Sequence, residues 1–159
     1  MSDEIAADQV TRLVEAFRAS RREFQRRLDR IPFERWMLTP SGGGWCTRDL
    51  VAHVAAWLDE ANDRIPRLML GVSGVQYDVD AFNAVSVERA GDWSPQQTLG
   101  AFRRAADRYE TIVGESDPDD LVDSEDVLAW LRSMAGVLMN EHLGDLDRLA
   151  AVTSDVTRG

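Results

Sequence analysis

Apolar residues in this chain return every three or four positions along four long stretches. Nowhere do they alternate in the way a half-buried strand requires. A chain patterned in this way buries one stripe of each helix against other helices. The first stripe, Val10, Leu13, Val14, Phe17, Phe24, Leu28 and Ile31, runs within residues 3–29 and is closed by Pro32. The second carries Leu50, His53, Val54, Trp57, Ala61, Ile65 and Leu68, with Thr47 as its expected N-cap, and fades around Gly71 to Gly74. Ser94-Pro95-Gln96-Gln97 opens the third, with a Ser cap, Pro at the first helical position and Gln three residues after the cap. Leu99, Phe102, Ala106, Tyr109 and Val113 follow, with Gly114 as the expected stop. The fourth is predicted over residues 124–151, with Val127, Leu128, Leu131, Met134, Leu138, His142, Leu146 and Leu149 inward.

The fold class is therefore all-α. Four helices, each roughly 30 to 40 Å long, predict a four-helix bundle. Residues 71–93 form a connection between helices two and three long enough to cross the bundle, with one or two helical turns around Asp80-Ala81-Phe82-Asn83. A length of 159 residues suits one domain, residues 1–159, with a short flexible tail expected at about 152–159.

Charge narrows the partners. All 18 basic residues are Arg, against 28 acids, for a net charge of −10. That balance argues against nucleic acid and against anionic lipid as partners. The Arg residues of the first helix alternate with Glu15, Glu23 and Asp29, as on a solvated face. Residues 115–126 hold seven acids and no Arg, but lack the alternating ligands and central Gly of a calcium loop. They read as a solvated loop leading into a helix N-terminus that favours negative charge. Without Lys, Schiff-base chemistry and P-loop phosphate binding are excluded. A lone Cys permits no internal disulfide, the acidic opening residues do not resemble a signal peptide, and no apolar run has the length of a membrane span. The cytoplasm is the expected location.

The chemistry rests on two histidines. His53 and His142 both fall on inward stripes, from different helices, and so point toward one bundle centre, where bundles build metal and cofactor sites. Glu141 and Asp145 are close by in sequence, four residues apart. Two His plus a carboxylate, with positions left open, suits zinc, nickel or ferrous iron. Asp145 is the expected third ligand and Glu141 the alternative. The competing reading is a pair of buried neutral histidines, each with a hydrogen-bond partner. Trp45 and Trp57 flank His53 and would line a pocket for a flat or apolar small molecule. Asn83 would serve in the same pocket or as a turn or cap residue. Cys46, just before the second helix, reads as structural, and no nucleophile elbow supports a serine triad.

The run Trp45-Cys46-Thr47-Arg48-Asp49-Leu50-Val51-Ala52-His53-Val54-Ala55-Ala56-Trp57 resembles the loop-to-helix segment of the DinB-like superfamily. Asp80-Ala81-Phe82-Asn83, followed by an Arg and a Ser-capped helix, further resembles the ClbS/DfsB branch and the N-terminal domain of mycothiol-dependent maleylpyruvate isomerases. The resemblance spans roughly Val10 to Leu149. It implies a helical bundle with a central cavity at His53 and His142 that acts on a small molecule by thiol-dependent transfer, isomerisation or hydrolytic detoxification. It also implies a divalent metal, and a low-molecular-weight thiol such as mycothiol as co-substrate. Metal-binding members present one His from helix two and two ligands four apart on helix four. His53 matches the first, but Leu138 and Leu146 stand four residues either side of His142. Either Asp145 replaces a histidine, or the site works without metal as in the ClbS/DfsB branch, with His53 as general base or with binding and sequestration alone. A homodimer is compatible with each reading.

Overall fold

The computed structural model describes residues 2–40 and 42–158, with Ser2 and residues 153–158 described as backbone only. Among the described residues seven α-helices follow one another: α1 (Ser2–Leu28), α2 (Thr47–Met69), α3 (Val79–Arg89), α4 (Pro95–Glu115), α5 (Pro118–Val122), α6 (Glu125–Gly136) and α7 (Leu143–Arg158). Short 3-10 turns lie at Phe33–Arg35 and Asn140–His142. No strand occurs among the described residues, so the all-α expectation holds.

The expectation of four helices is corrected in three places. The predicted fourth helix is divided into α6 and α7. Gly136, a poor helix former, precedes Val137. There Ser133 O accepts from both Val137 N and Leu138 N, at 3.1 and 2.9 Å. The Asn140 side chain donates to Gly136 O at 3.3 Å, satisfying a carbonyl that the broken ladder would leave bare. Second, the acidic segment is not all loop: Asp117 caps α5 by accepting from Asp119 N, and Ser124 caps α6 by accepting from Val127 N. Third, the connection between α2 and α4 contains an 11-residue helix, α3, capped by Asp78 through Ala81 N at 3.1 Å.

Other boundaries follow local chemistry. The Ser94–Gln97 capping box forms in both directions. The N-cap of α2 is Cys46 rather than Thr47, whose hydroxyl is buried without a hydrogen-bond partner. Gly114 does not stop α4, which runs to Glu115 before Ser116 turns extended. Gly71 does adopt a left-handed conformation (φ 86°) just beyond α2, a geometry that costs glycine little. α7 continues to Arg158, through most of the residues expected as a tail; Gly159 lies outside the described residues.

α2 lies along α4, and α1 packs on α5, α6 and α7, with further contact between α2 and α6 that brings the two halves together. Phe17 meets Tyr109 at 4.4 Å between ring centroids, and Phe24 meets Phe102 at 5.2 Å. These rings are essentially sealed from solvent, as are Leu58, Ile65, Leu131 and Leu146. Each such side chain contributes about 1.5–3 kcal/mol through burial. The basic face of α1 is matched by acids: Arg18 and Arg21 reach Glu110, Arg21 also reaches Asp107, and Arg27 reaches Asp147 at 2.8 Å.

Candidate metal centre

His53 projects from the second turn of α2 and is only 4 % exposed. His142 ends the 3-10 turn between α6 and α7. The division of the predicted fourth helix therefore sets the direction of His142. Across 89 residues of sequence the two rings meet edge to face (86°), Nε2 to Nε2, at 3.1 Å. Trp45 lies against His53 on another side, with ring centroids 4.7 Å apart.

The two neighbouring carboxylates approach different nitrogens of His142. Asp145 Oδ2 is 3.0 Å from Nδ1, while Glu141 Oε1 is 3.4 Å from Nε2. Asp145 also binds Arg148. A carboxylate can only accept here, so Nδ1 of His142 carries a proton, and in the neutral ring Nε2 keeps its lone pair. The structure thus brings together His53, His142 and Glu141, with donor atoms within 4.8 Å of one another. Asp145, the expected third ligand, stands behind His142 as the group that orients its ring.

The facing nitrogens allow two arrangements. In one, His53 Nε2–H donates to the His142 lone pair. In the other, both lone pairs converge on an ion. Ligand bonds of about 2.0–2.1 Å would separate two nitrogens by about 2.9 Å in octahedral and about 3.3 Å in tetrahedral geometry. The observed 3.1 Å falls between these values. Burial, and then the nearby His142, push the His53 pKa down to about 4, with Asn83 opposing. His53 is therefore neutral at pH 7, the form that ligates metal. Its Nδ1 is buried and has no hydrogen-bond partner. Asn83 is near, but its Oδ1 is engaged by the Trp57 indole N–H at 2.8 Å.

The histidine pair opens onto a cavity of about 520 Å³. Trp45, Trp57 and Asn83 all lie on its wall, together with Glu141. Asn83 sits inside α3 and is not its cap. The sequence reading missed Tyr77, Trp130 and Asp126, which also line the space. Trp57 packs on Phe82 with centroids 4.1 Å apart, and the Tyr77 hydroxyl donates to Glu60 at 2.6 Å, fastening the α3 region to α2. Trp130 stands four residues before Met134 on α6, and nothing in the spacing says that this side borders open space. Cys46 is buried, and its thiol pKa is raised mainly by that burial, in keeping with a structural role.

An all-helical bundle with two histidines meeting at the wall of an open cavity defines the class of protein. The family model of the DinB superfamily matches residues 16–140, and the chain belongs to that superfamily. No curated protein and no solved structure matches it significantly. No helix among the described residues is long and apolar enough to cross a membrane.

Proposed function

We propose that this chain holds a divalent metal ion between His53, His142 and Glu141 and acts on a small molecule bound in the adjoining cavity. One observation carries the reading: two imidazole Nε2 atoms 3.1 Å apart, with a carboxylate oxygen 3.4 Å from one of them. A bound zinc, nickel or ferrous ion would supply Lewis acidity, polarising an oxygen or lowering the pKa of a thiol or water. The protein's own contribution is positional. Asp145, steadied by Arg148, holds the proton on Nδ1 of His142 so that Nε2 faces His53. Burial keeps His53 neutral, and Trp45 restricts its ring. The Trp57–Asn83 hydrogen bond keeps α3 beside the cavity.

The resemblance to mycothiol-dependent isomerases and to the ClbS/DfsB branch supports thiol-dependent transfer, isomerisation or detoxification of an electrophile as the reaction class. Protein purified from zinc-, nickel- or iron-supplemented medium and dialysed should retain about one metal per chain by elemental analysis. His53→Ala should retain none while keeping its helical circular dichroism. Absence of stoichiometric metal in the unaltered protein would overturn the metal reading.

A second reading is favoured by the orphaned Nδ1 of His53. Without metal, Asp145, His142 and His53 form a hydrogen-bonded chain in which His53 donates through Nε2. Its Nδ1 lone pair is then free to accept a proton from a ligand. Activity or ligand binding that survives exhaustive chelation, yet is lost in His53→Ala, identifies this arrangement.

A further inference from the structure

The charge distribution around the cavity says which ligands it takes, given the reading above that the cavity is the ligand site. Asp126, Ala129, Trp130, Ser133, Met134 and Val137 form one stripe along the whole of α6, and all line the space. At 1.5 Å per residue, Asp126 and Val137 stand about 16 Å apart along the axis. The cavity is therefore elongated, with the histidine pair and Glu141 at one end and Asp126 at the other. Although the chain has 18 Arg, none lines it.

Asp126 is not occupied elsewhere. Ser124, not Asp126, caps α6. Asp126 makes no ion pair or side-chain hydrogen bond among the described residues. Gly74 stands beside it: a Cβ there would come within 3.3 Å of Asp126 Oδ2, so the glycine leaves the carboxylate open. Trp130, four residues on, shares its helix face. The Tyr77 ring stands nearly perpendicular to Trp130, 5.8 Å away, and Trp57 is 5.3 Å from Tyr77. Trp57 and Trp130 are themselves 6.2 Å apart and tilted at 45°; a cluster of electron-rich rings on the same wall as an unpaired carboxylate favours an ammonium group. An anionic terminus here would face the Asp126 carboxylate, while Arg64, near the Tyr77 hydroxyl, is already paired with Glu60 at 3.0 Å. At the opposite end, the His53 Nδ1 is buried without a hydrogen-bond partner.

We infer that the cavity selects an elongated, largely apolar ligand whose end remote from the histidines is a cationic amine, recognised by Asp126 and the Trp57–Tyr77–Trp130 rings. The same arrangement disfavours thiols that carry carboxylates at their far end.

The test uses the full chain and two isosteric probes, 4-phenylbutyl-trimethylammonium and the tert-butyl analogue with carbon in place of nitrogen. Neither probe coordinates metal, and binding is read by tryptophan fluorescence with and without added zinc. The cation should bind at least about tenfold more tightly at low salt, a difference of about 1.4 kcal/mol, and the preference should shrink as ionic strength rises. Asp126→Asn should reduce it to within about twofold, with metal stoichiometry unchanged. Equal affinities, no binding of either probe, or a preference that survives Asp126→Asn would each overturn the inference. Because the probes do not touch the metal, failure of the metal reading would leave this result standing, and the reverse also holds.

Discussion

Two adjacent stripes of α2 meet opposite surroundings. Leu50, Val54, Leu58, Ala61 and Ile65 are all at most 2 % exposed and belong to the continuous apolar core. One residue earlier along the helix, His53 and Trp57 instead face the cavity. A shift of one residue turns a side chain by about 100° around the helix, enough to move from close packing to open space. Apolar side chains can fill the first stripe because they leave no polar atom unsatisfied. The second carries ring nitrogens that need partners, and the elements opposite it, α3 and the α6–α7 turn, stand off and leave a void. Stability resides mainly in one stripe, and the other carries the proposed site.

The largest effect that would test this division comes from Leu58→Ala. Filling the core, Leu58 should cost about 2–5 kcal/mol on truncation, measured by urea unfolding, with metal binding by the refolded variant retained. A loss below 1 kcal/mol would mean that the two stripes are equally loose.

A smaller, pH-dependent effect belongs to His53. Its pKa is near 6.5 when unfolded and about 4 when folded. Between those values the unfolded chain binds the extra proton, so this residue's contribution to stability is present above pH 6.5 and is lost as pH falls toward 4. In chelator, the unfolding free energy should fall toward pH 4 with a contribution from this group somewhat under 1.4 kcal/mol per pH unit. His53→Gln should flatten that part of the profile. An unchanged profile would place His53 in a more solvated setting than the packing indicates.

The smallest effect is expected from Trp57→Phe, which removes the hydrogen bond to Asn83 and keeps most of the ring contacts. Stability should change by about 1 kcal/mol. Hydrogen exchange should quicken in α3 while α2 and α4 remain protected. Faster exchange in α4 as well would show that the cavity wall and the core are one cooperative unit.

Only part of this division was legible in the residues. The second stripe is helical in period, but its spacing places His53 and Trp57 inward together with Leu50, Val54, Ala61 and Ile65 and does not separate the side that packs from the side that borders open space. The capping box at Ser94 and the acid-matched basic face of α1 also follow from local chemistry. The fourth stripe misled for a physical reason. Met134, Leu138, His142 and Leu146 keep four-residue spacing straight through the break, and all but the half-buried His142 are buried on both sides of it. Periodicity therefore registers one helix where hydrogen bonding makes two.

By itself, then, the sequence determined that the chain is helical, which faces are apolar, and that its only two histidines belong inside. These are consequences of side-chain solubility and backbone periodicity, which act locally. Tertiary structure decided that the histidines meet through Nε2, that Glu141 rather than Asp145 shares that side, and that Trp130, Tyr77 and Asp126 border the same space. Those outcomes depend on the turn at residues 137–142 and on where α3 docks. Both are set by contacts between segments far apart in the chain, which no local pattern of residues records.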